Sequence, residues 1–221
     1  MQIIKTSIET RRLVVQLGVH TLQVRALKDL QQGVLEADAA PDAIVSSAQW
    51  SLFGQLWPSG KALAQCMSDR VLARPRILEF GCGLGLPSLL LQARGMDVTA
   101  SDIHPEAQAF LKFNTDLNGL AEIPFITAAF TEMPAGCGRF DLLIGADVLY
   151  ERGSADAVAD LIHAHALPLA EVVLADPGRR LTARFMRLMG LLGFSAVESR
   201  GAFEPSAGPS RDRMLSFKRP H

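Results

Sequence analysis

Three glycines and two acids near the middle of the chain have the spacing of a nucleotide-type cofactor site. The segment Glu79-Phe80-Gly81-Cys82-Gly83-Leu84-Gly85 stands where the buried strand RILEF would pass into a helix. Gly81 and Gly83 let the backbone approach a ligand closely and adopt turn dihedrals that a side chain opposes. Asp102 ends the next strand about 20 residues later, where a carboxylate binds two ribose hydroxyls. The spacing therefore predicts a site for a ribose-containing cofactor.

The third glycine distinguishes between two classes of such cofactors. A dinucleotide fingerprint requires a small residue at position 86, which is Leu86 here, whereas Gly85 gives the spacing G-x-G-x-G. Glu79 would repel a pyrophosphate but would favour an ammonium or sulfonium group. S-adenosyl-L-methionine (SAM) carries both of these cations and no phosphate. We therefore predict SAM as the cofactor, with a nicotinamide-dependent oxidoreductase as the less favoured reading.

The run ILEFGCGLG, followed by DVTASD, resembles motif I and the acidic strand end of class I SAM-dependent methyltransferases. Three further motifs resemble the seven-β-strand branch with the METTL21-type protein lysine methyltransferases and their bacterial relatives. They are Leu56-Trp57-Pro58, the pair Asn114 and Asn118, and Asp147-Val148-Leu149-Tyr150. The segment Asp176-Pro177-Gly178-Arg179 also resembles the branch that methylates lysines of electron-transfer flavoprotein β-subunit.

This resemblance implies a set of residues that contact the cofactor. They are Trp57, Glu79, Gly81, Gly83, Gly85, Asp102, Ile103, Phe130 and Ala146. One position departs from the branch, which carries an acid-Trp pair near the adenine after its third strand. The corresponding residues here are Ala129-Phe130, so an aromatic ring remains to pack on the base, but the carboxylate is missing.

The resemblance also implies that Asp147 and Tyr150 form the acceptor side of the site. A lysine amine with a pKa near 10.4 is almost entirely protonated at pH 7, and a neighbouring carboxylate favours the charged form further. We therefore interpret Asp147 first as an orienting hydrogen-bond acceptor and second as a base. Tyr150 would donate a hydrogen bond or cover the alkyl stem. The alternative is that Asp147 caps a helix beginning near Ser154 and that Tyr150 is simply packed.

Short apolar strands alternate with helical segments from Arg76 onward, which predicts an α/β fold with a mostly parallel, Rossmann-like sheet covered by helices on both faces. After Gly193, the runs FSAVESR and MLSFKR have no helix between them and predict an antiparallel strand pair at the C-terminus. The stretch from Leu13 to Leu27, broken at Gly18, predicts an N-terminal β-hairpin. We expect residues 1–50 to form a hairpin arm packed on a SAM-binding core of residues 51–221, a single domain overall.

Composition excludes several other classes of protein. The 221 residues are 48% apolar and 20% charged, with 22 basic and 23 acidic side chains, so disorder and broad nucleic-acid binding are not expected. No stretch approaches the roughly 18 apolar residues of a membrane span, and the N-terminus lacks the order of a signal peptide. We therefore predict a cytoplasmic protein with no membrane or nucleic-acid partner.

Cysteines and histidines give no metal signal. Cys66, Cys82 and Cys137 lack CxxC spacing, which favours reduced thiols over a zinc site or a disulfide. His163 and His165 stand two residues apart in a helical segment and point to different faces.

The predicted activity is SAM-dependent N-methylation, with a protein lysine as the acceptor. A small amine or a pyridine nitrogen is the alternative acceptor, and a catalytically silent SAM-binding protein is a further alternative. Three arginines share one face of a late helix and are interpreted as a solvated face rather than a docking site for an acidic partner. They are Arg180, Arg184 and Arg187. The oligomeric state stays open.

Overall fold

The computed structural model describes residues 8–28, 52–200 and 211–219. The strands are β1 (Thr10–Leu17), β2 (His20–Leu27), β3 (Arg76–Phe80), β4 (Asp97–Asp102), β5 (Phe125–Thr127), β6 (Phe140–Ala146), β7 (Ala166–Asp176), β8 (Ser195–Arg200) and β9 (Arg213–Lys218). The helices are α1 (Pro58–Asp69), α2 (Leu86–Ala93), α3 (Ala107–Leu117), α4 (Ser154–His165) and α5 (Thr182–Leu191). Two short 3₁₀ turns, Phe130–Glu132 and Ala135–Cys137, connect β5 to β6.

Seven of these strands form one sheet in the order β5-β4-β3-β6-β7-β9-β8. The first five in this order run parallel, whereas β9 pairs antiparallel with both β7 and β8. This arrangement confirms the predicted Rossmann-like sheet with an antiparallel C-terminal pair. Strand β3 lies between β4 and β6 and runs parallel to both. The carboxyl ends of these three strands therefore lie at the same edge of the sheet, which is the usual place for a ligand in such folds.

The central strands are almost entirely apolar because both faces of the sheet are covered. Leu63 and Met67 of α1 belong to a buried cluster on one face together with α2 and α3. Val158 of α4 and Phe185 of α5 belong to the cluster on the other face, where the rings of Phe185 and Phe217 meet edge to face at 5.4 Å. Continuous burial, rather than an alternating pattern, is what a strand between two helical layers requires.

The N-terminal strands β1 and β2 form the predicted hairpin. They pair antiparallel around a two-residue turn at Gly18 and Val19, where Gly18 has a φ of +57°. Leu22 and Val24 of β2 are buried in the same cluster as α1 and α2, so the described part of the hairpin packs on the core. The predicted boundary at residue 50 lies outside the described residues and stays a prediction.

Helix α1 begins at Pro58, two residues before the start that a cap at Ser59 would give. Trp57 occupies the N-cap position and Pro58 the first helical position, where its missing N–H costs nothing. Ser59 is instead buried in the first turn.

Within residues 8–28, 52–200 and 211–219, no helix combines the length and the apolarity that crossing a bilayer takes. The same residues contain no group of three or more side chains arranged to bind a metal ion. His163 is exposed, whereas His165 is buried with its Nδ1 2.9 Å from the carbonyl of Gly138, so the two histidines do face different surroundings. The three cysteines are free thiols.

Candidate active site

A cavity of about 400 Å³ lies at the carboxyl edge of the sheet, within the size range of small-molecule sites. Its wall is built from the turns after β3, β4, β5 and β6, from the segment before α1 and from the start of α4. The predicted residues in this wall are Trp57, Gly81, Gly83, Asp102, Ile103, Phe130, Ala146, Asp147 and Tyr150. The structure therefore brings together all but two of the residues predicted from the sequence.

The glycine loop forms the floor of the cavity at the end of β3. Gly81 has a φ of +63°, and a Cβ there would lie 2.9 Å from Cγ1 of Val148, so a larger residue would shift the loop. Gly85 is one of the two predicted residues outside the wall. It is the N-cap of α2 with a φ of +71°, and a Cβ there would lie 2.4 Å from Cδ1 of Leu111. The absence of a side chain at Gly85 therefore allows the start of α2 to pack closely against Leu111 of α3.

Glu79 is the other predicted residue outside the wall. Its side chain is buried behind the loop, and its Oε2 accepts hydrogen bonds from the backbone N–H of Ser88, at 2.8 Å, and from the Ser88 hydroxyl. Burial raises the pKa of Glu79 to about 8, although both bonds from Ser88 oppose this shift. The predicted contact between Glu79 and a cationic group of the cofactor is therefore not supported by the structure. Glu79 instead binds Ser88 in the first turn of α2, behind the glycine loop.

Asp102 connects the end of β4 to the glycine loop. Its Oδ2 accepts the N–H of Gly83 and its Oδ1 accepts the N–H of His104, both at 2.8 Å. Burial raises the pKa of Asp102, while these bonds lower it. Each carboxylate oxygen keeps lone-pair capacity for a further donor, such as a ribose hydroxyl.

The cavity wall also contains two aromatic groups that no motif indicated, Phe53 and His104. The ring of Phe53 stacks on His104 with centroids 3.8 Å apart and planes 5° apart. Burial lowers the pKa of His104 to about 4, so its imidazole is neutral at pH 7. Trp57 is 40% exposed, and its indole N–H donates to the carbonyl of Leu52 at 2.9 Å. A histidine two residues after the strand-end acid is the feature of the sequence that corresponds to this contact.

Phe130 lies in the 3₁₀ turn after β5 and presents its ring to the cavity. It packs edge to face on Phe80, with centroids 5.9 Å apart. Its neighbour Ala129, which replaces the acid of the related branch, also lines the cavity. This side of the wall is thus apolar and suited to packing against a flat ring.

Asp147 follows β6 in a left-handed conformation, with a φ of +54° that is rare for a residue other than glycine. Its N–H is held by the carbonyl of Ala175 at 2.8 Å. Its carboxylate forms a two-point ion pair with Arg179, at 2.5 Å between Oδ1 and Nε and 2.8 Å between Oδ2 and Nη2. The alternative role as a helix cap is wrong, because Gly153 is the N-cap of α4 and no side chain caps it.

Arg179 is positioned by a turn built on Asp176. The buried Asp176 accepts the N–H groups of Gly178 and Arg179, at 3.0 Å and 3.1 Å, and the hydroxyl of Thr182. Asp176 is thus a turn-forming residue at the end of β7. In the motif Asp176-Pro177-Gly178-Arg179, it is therefore Arg179, and not Asp176, that contacts Asp147 at the cavity.

Comparison with known proteins shows which sequences and folds this chain resembles. Residues 77–177 match the family model described as a methyltransferase domain. This central part of the chain is therefore similar to methyltransferase domains. The chain is 30% identical over 137 residues to the electron transfer flavoprotein beta subunit lysine methyltransferase of Danio rerio, covering 59% of this chain and 50% of that protein. The Mus musculus protein of the same name is 28% identical over 141 residues, covering 61% and 52%. The chain spans about half the length of these curated relatives.

Solved structures of several methyltransferases share this fold. The ribosomal protein L11 methylase of Lactobacillus delbrueckii has a TM-score of 0.57 at 19% identity, over 72% of this chain and 78% of that one. The magnesium protoporphyrin IX methyltransferase of Synechocystis, with bound SAM, gives 0.58 at 19% identity, over 74% and 80%. The 16S rRNA methyltransferase RsmC of T. thermophilus gives 0.69 at 15% identity, over 97% and 51%. These similarities confirm the predicted Rossmann-like fold of class I methyltransferases.

The asparagine pair on α3, Asn114 and Asn118, lies away from the cavity wall. Asn118 accepts the N–H of Gln23 at 2.8 Å and donates to its carbonyl at 2.7 Å, and Asn114 accepts the N–H of Arg25 at 2.7 Å. The two amides on α3 therefore bind the edge of β2 as a neighbouring strand would. They hold the hairpin on the core and do not contact the cavity.

The late arginines lie outside the cavity as well. Arg184 binds Asp156 of α4 through two contacts, at 2.7 Å between Nε and Oδ2 and 2.5 Å between Nη2 and Oδ1. Both side chains are largely exposed, so this pair joins α5 to α4 at the surface. Arg184 and Arg187 lie on the exposed side of α5 as predicted, but Arg180 precedes the helix, which begins at Thr182, and so does not share that face.

Proposed function

We propose that this protein transfers a methyl group from SAM to the ε-amino group of a lysine in another protein. One observation carries the proposal: Asp147 and Tyr150 line the same cavity as the glycine loop and Asp102. The similarity to relatives named as lysine methyltransferases supports the choice of acceptor. A cytoplasmic location and a protein partner belong to the same proposal.

The residues present fit SAM as the cofactor. Asp102 offers carboxylate oxygens to a ribose, the backbone of Gly81 and Gly83 allows close approach, and Phe130 offers a flat apolar surface to a base. No carboxylate stands beside Phe130 at position 129, so the polar edge of the base would be bound by backbone groups. When bound, SAM supplies a methyl group on a positively charged sulfur.

The protein's contribution to such a transfer is mainly alignment. The nitrogen lone pair forms the N–C bond while the S–C bond breaks, and that electron pair remains on sulfur, leaving a neutral thioether. The extra proton on the methylated nitrogen passes to solvent. Asp147 would orient the amine by accepting one of its N–H bonds, and the cavity wall would exclude water from the line of attack.

Labelled SAM tests the acceptor class directly. The purified protein is incubated with methyl-labelled SAM and a lysate of a strain that lacks its gene. We expect label in one protein band, in a form recovered as methyl-lysine by mass spectrometry. Label confined to small molecules would instead support the amine or pyridine alternative, and no transfer despite SAM binding would indicate a silent SAM-binding protein.

Replacement of Asp147 tests its place at the acceptor end. We expect Asp147→Asn to lower methyl incorporation by roughly tenfold or more, because a neutral amide orients the amine less strongly. The affinity for SAM, measured separately by calorimetry, should change by no more than about threefold. Full turnover in this variant would refute the assignment of Asp147.

A further inference from the structure

Arg179 and Asp147 form an ion pair with two contacts at the cavity. The guanidinium binds both carboxylate oxygens side by side, which fixes the orientation of both groups. The Asp147 side chain is 15% exposed and the Arg179 side chain 37%. Asp147 also raises the pKa of Arg179, first through their hydrogen bond, so this cation stays charged.

The surrounding backbone holds Arg179 in place before any ligand binds. Asp176 fixes the N–H of Arg179 itself, and Thr182 closes the same turn. A Cβ on Gly178 would lie 2.4 Å from the carbonyl oxygen of Arg211, so the turn is also packed tightly against the strand pair. Arg179 therefore meets Asp147 from a preformed turn and not from a free loop.

An unpaired carboxylate at this place would oppose the reaction that the proposed function requires. Only the neutral amine has a lone pair for the methyl group, and a carboxylate within about 4–6 Å raises an amine pKa by roughly one to three pH units. At pH 7 this would cut the neutral fraction of the amine about 10- to 1,000-fold. A cation bound to the carboxylate removes most of that effect and leaves its lone pairs available to accept a hydrogen bond.

Accepting the proposed lysine methylation as its basis, we propose that Arg179 is a positioning residue that cancels the charge of Asp147 while leaving it an acceptor. The amine of the substrate then enters the cavity beside a neutral ion pair instead of a lone carboxylate. Asp147 keeps its orienting hydrogen bond, and the amine stays closer to its neutral, reactive form.

Other charged or titratable groups face the same region. They are Tyr150, Glu151 and Arg152 after β6, Asp176 after β7, Asp102 and His104 after β4, and Arg211 before β9. His104 is neutral at pH 7, and Asp176 is occupied by its own turn. Arg179 is the cation that the structure places in direct contact with Asp147, so the effect of its removal should act first on that carboxylate.

The pH dependence of methylation tests this inference. Initial rates of label transfer are measured from pH 6.5 to 10.5 in lysate concentrated until the rate no longer rises, so that the acceptor is saturating and the rate reports kcat and hence the pKa of the bound amine. We expect Arg179→Gln to move the rise of the rate at least about one pH unit higher, with a loss of tenfold or more near pH 7.5 and recovery near pH 10. Arg179→Lys keeps the cation and should keep the inflection within about half a unit of the original.

A matched control comes from the second forked Arg–Asp pair. Arg184→Gln breaks the contact with Asp156, which does not line the cavity, and its pH profile should equal that of the unaltered protein. The double replacement Asp147→Asn with Arg179→Gln removes both charges and should restore the original inflection at a lower rate. This double variant provides a second measurement if Arg179→Gln alone folds poorly.

The outcomes separate this inference from the proposed function. Transfer by the unaltered protein with the same inflection in Arg179→Gln would overturn the role of Arg179 and leave lysine methylation intact. An unaltered protein that labels no protein would overturn the proposed function itself, and the role of Arg179 with it. A uniform drop in rate at every pH would assign Arg179 a purely structural part and also overturn the inference.

Discussion

Glu79→Gln should change how the stability of this protein depends on pH. The folded pKa of Glu79 is raised from 4.5 to about 8, chiefly because burial penalises the charged carboxylate. The folded protein therefore binds this proton more tightly than the unfolded chain does. The stabilisation linked to the proton is fully present below pH 4.5 and is lost as the pH rises to about 8.

The size of this effect follows from the two pKa values. One pH unit of difference corresponds to about 1.4 kcal/mol, so the carboxylate costs on the order of several kcal/mol of unfolding free energy at pH 8 relative to pH 4.5. Glutamine has nearly the same shape, can accept the bonds from Ser88 and does not ionise. The variant should therefore lose stability far less than the unaltered protein as the pH rises.

Urea unfolding at pH 5, 6, 7 and 8 measures this difference. The free energy of unfolding of Glu79→Gln, minus that of the unaltered protein, should increase steadily across the series. Glu122→Gln, at an exposed glutamate, serves as the control and should give a constant difference. A constant difference for Glu79→Gln as well would refute the argument that Glu79 is buried largely in its protonated form.

Two further replacements test the loop and the hairpin. Gly81→Ala should weaken SAM binding about tenfold or more, as measured by calorimetry. The added Cβ would lie 2.9 Å from Cγ1 of Val148, and the residue has a left-handed backbone conformation. Unchanged affinity would show that the loop adjusts freely. Asn118→Ala should lower the unfolding free energy by about 1–3 kcal/mol in urea titrations, because it leaves the N–H and the carbonyl of Gln23 without their side-chain partner. Asn118→Asp, which retains only the acceptor, should lie between the two, and a neutral Asn118→Ala would contradict the docking role.

The sequence predicted the elements that local pattern determines. Unbroken apolar runs defined the parallel strands, the break at Gly18 defined the hairpin, and the lack of a helix after Gly193 defined the antiparallel pair. These features follow from periodicity and turn residues, which are properties of neighbouring positions. The predicted boundary at residue 50, between the hairpin arm and the core, lies outside the described residues and stays a prediction.

Side-chain direction was less accessible to prediction than position along the chain. Glu79 has the spacing of a cofactor contact, yet its carboxylate turns behind the loop to Ser88 of the following helix. Arg179 stands 32 residues from Asp147, and only the parallel pairing of β6 with β7 brings their turns together. Phe53 and His104 also meet across a long gap in sequence. Such contacts depend on which strands become neighbours and leave no local spacing signal.

The position of the asparagine pair explains how residues outside the cavity support it. Asn114 donates, at 3.4 Å each, to the carbonyl of Arg25 in the hairpin and to the carbonyl of Leu84 in the glycine loop. One amide thus connects the N-terminal hairpin, helix α3 and the loop beneath the cavity. An aspartate could accept the N–H of Arg25 but could donate to neither carbonyl, so the amide is required on chemical grounds. Loosening the hairpin should therefore disturb the glycine loop through Asn114, although no hairpin residue described here lines the cavity.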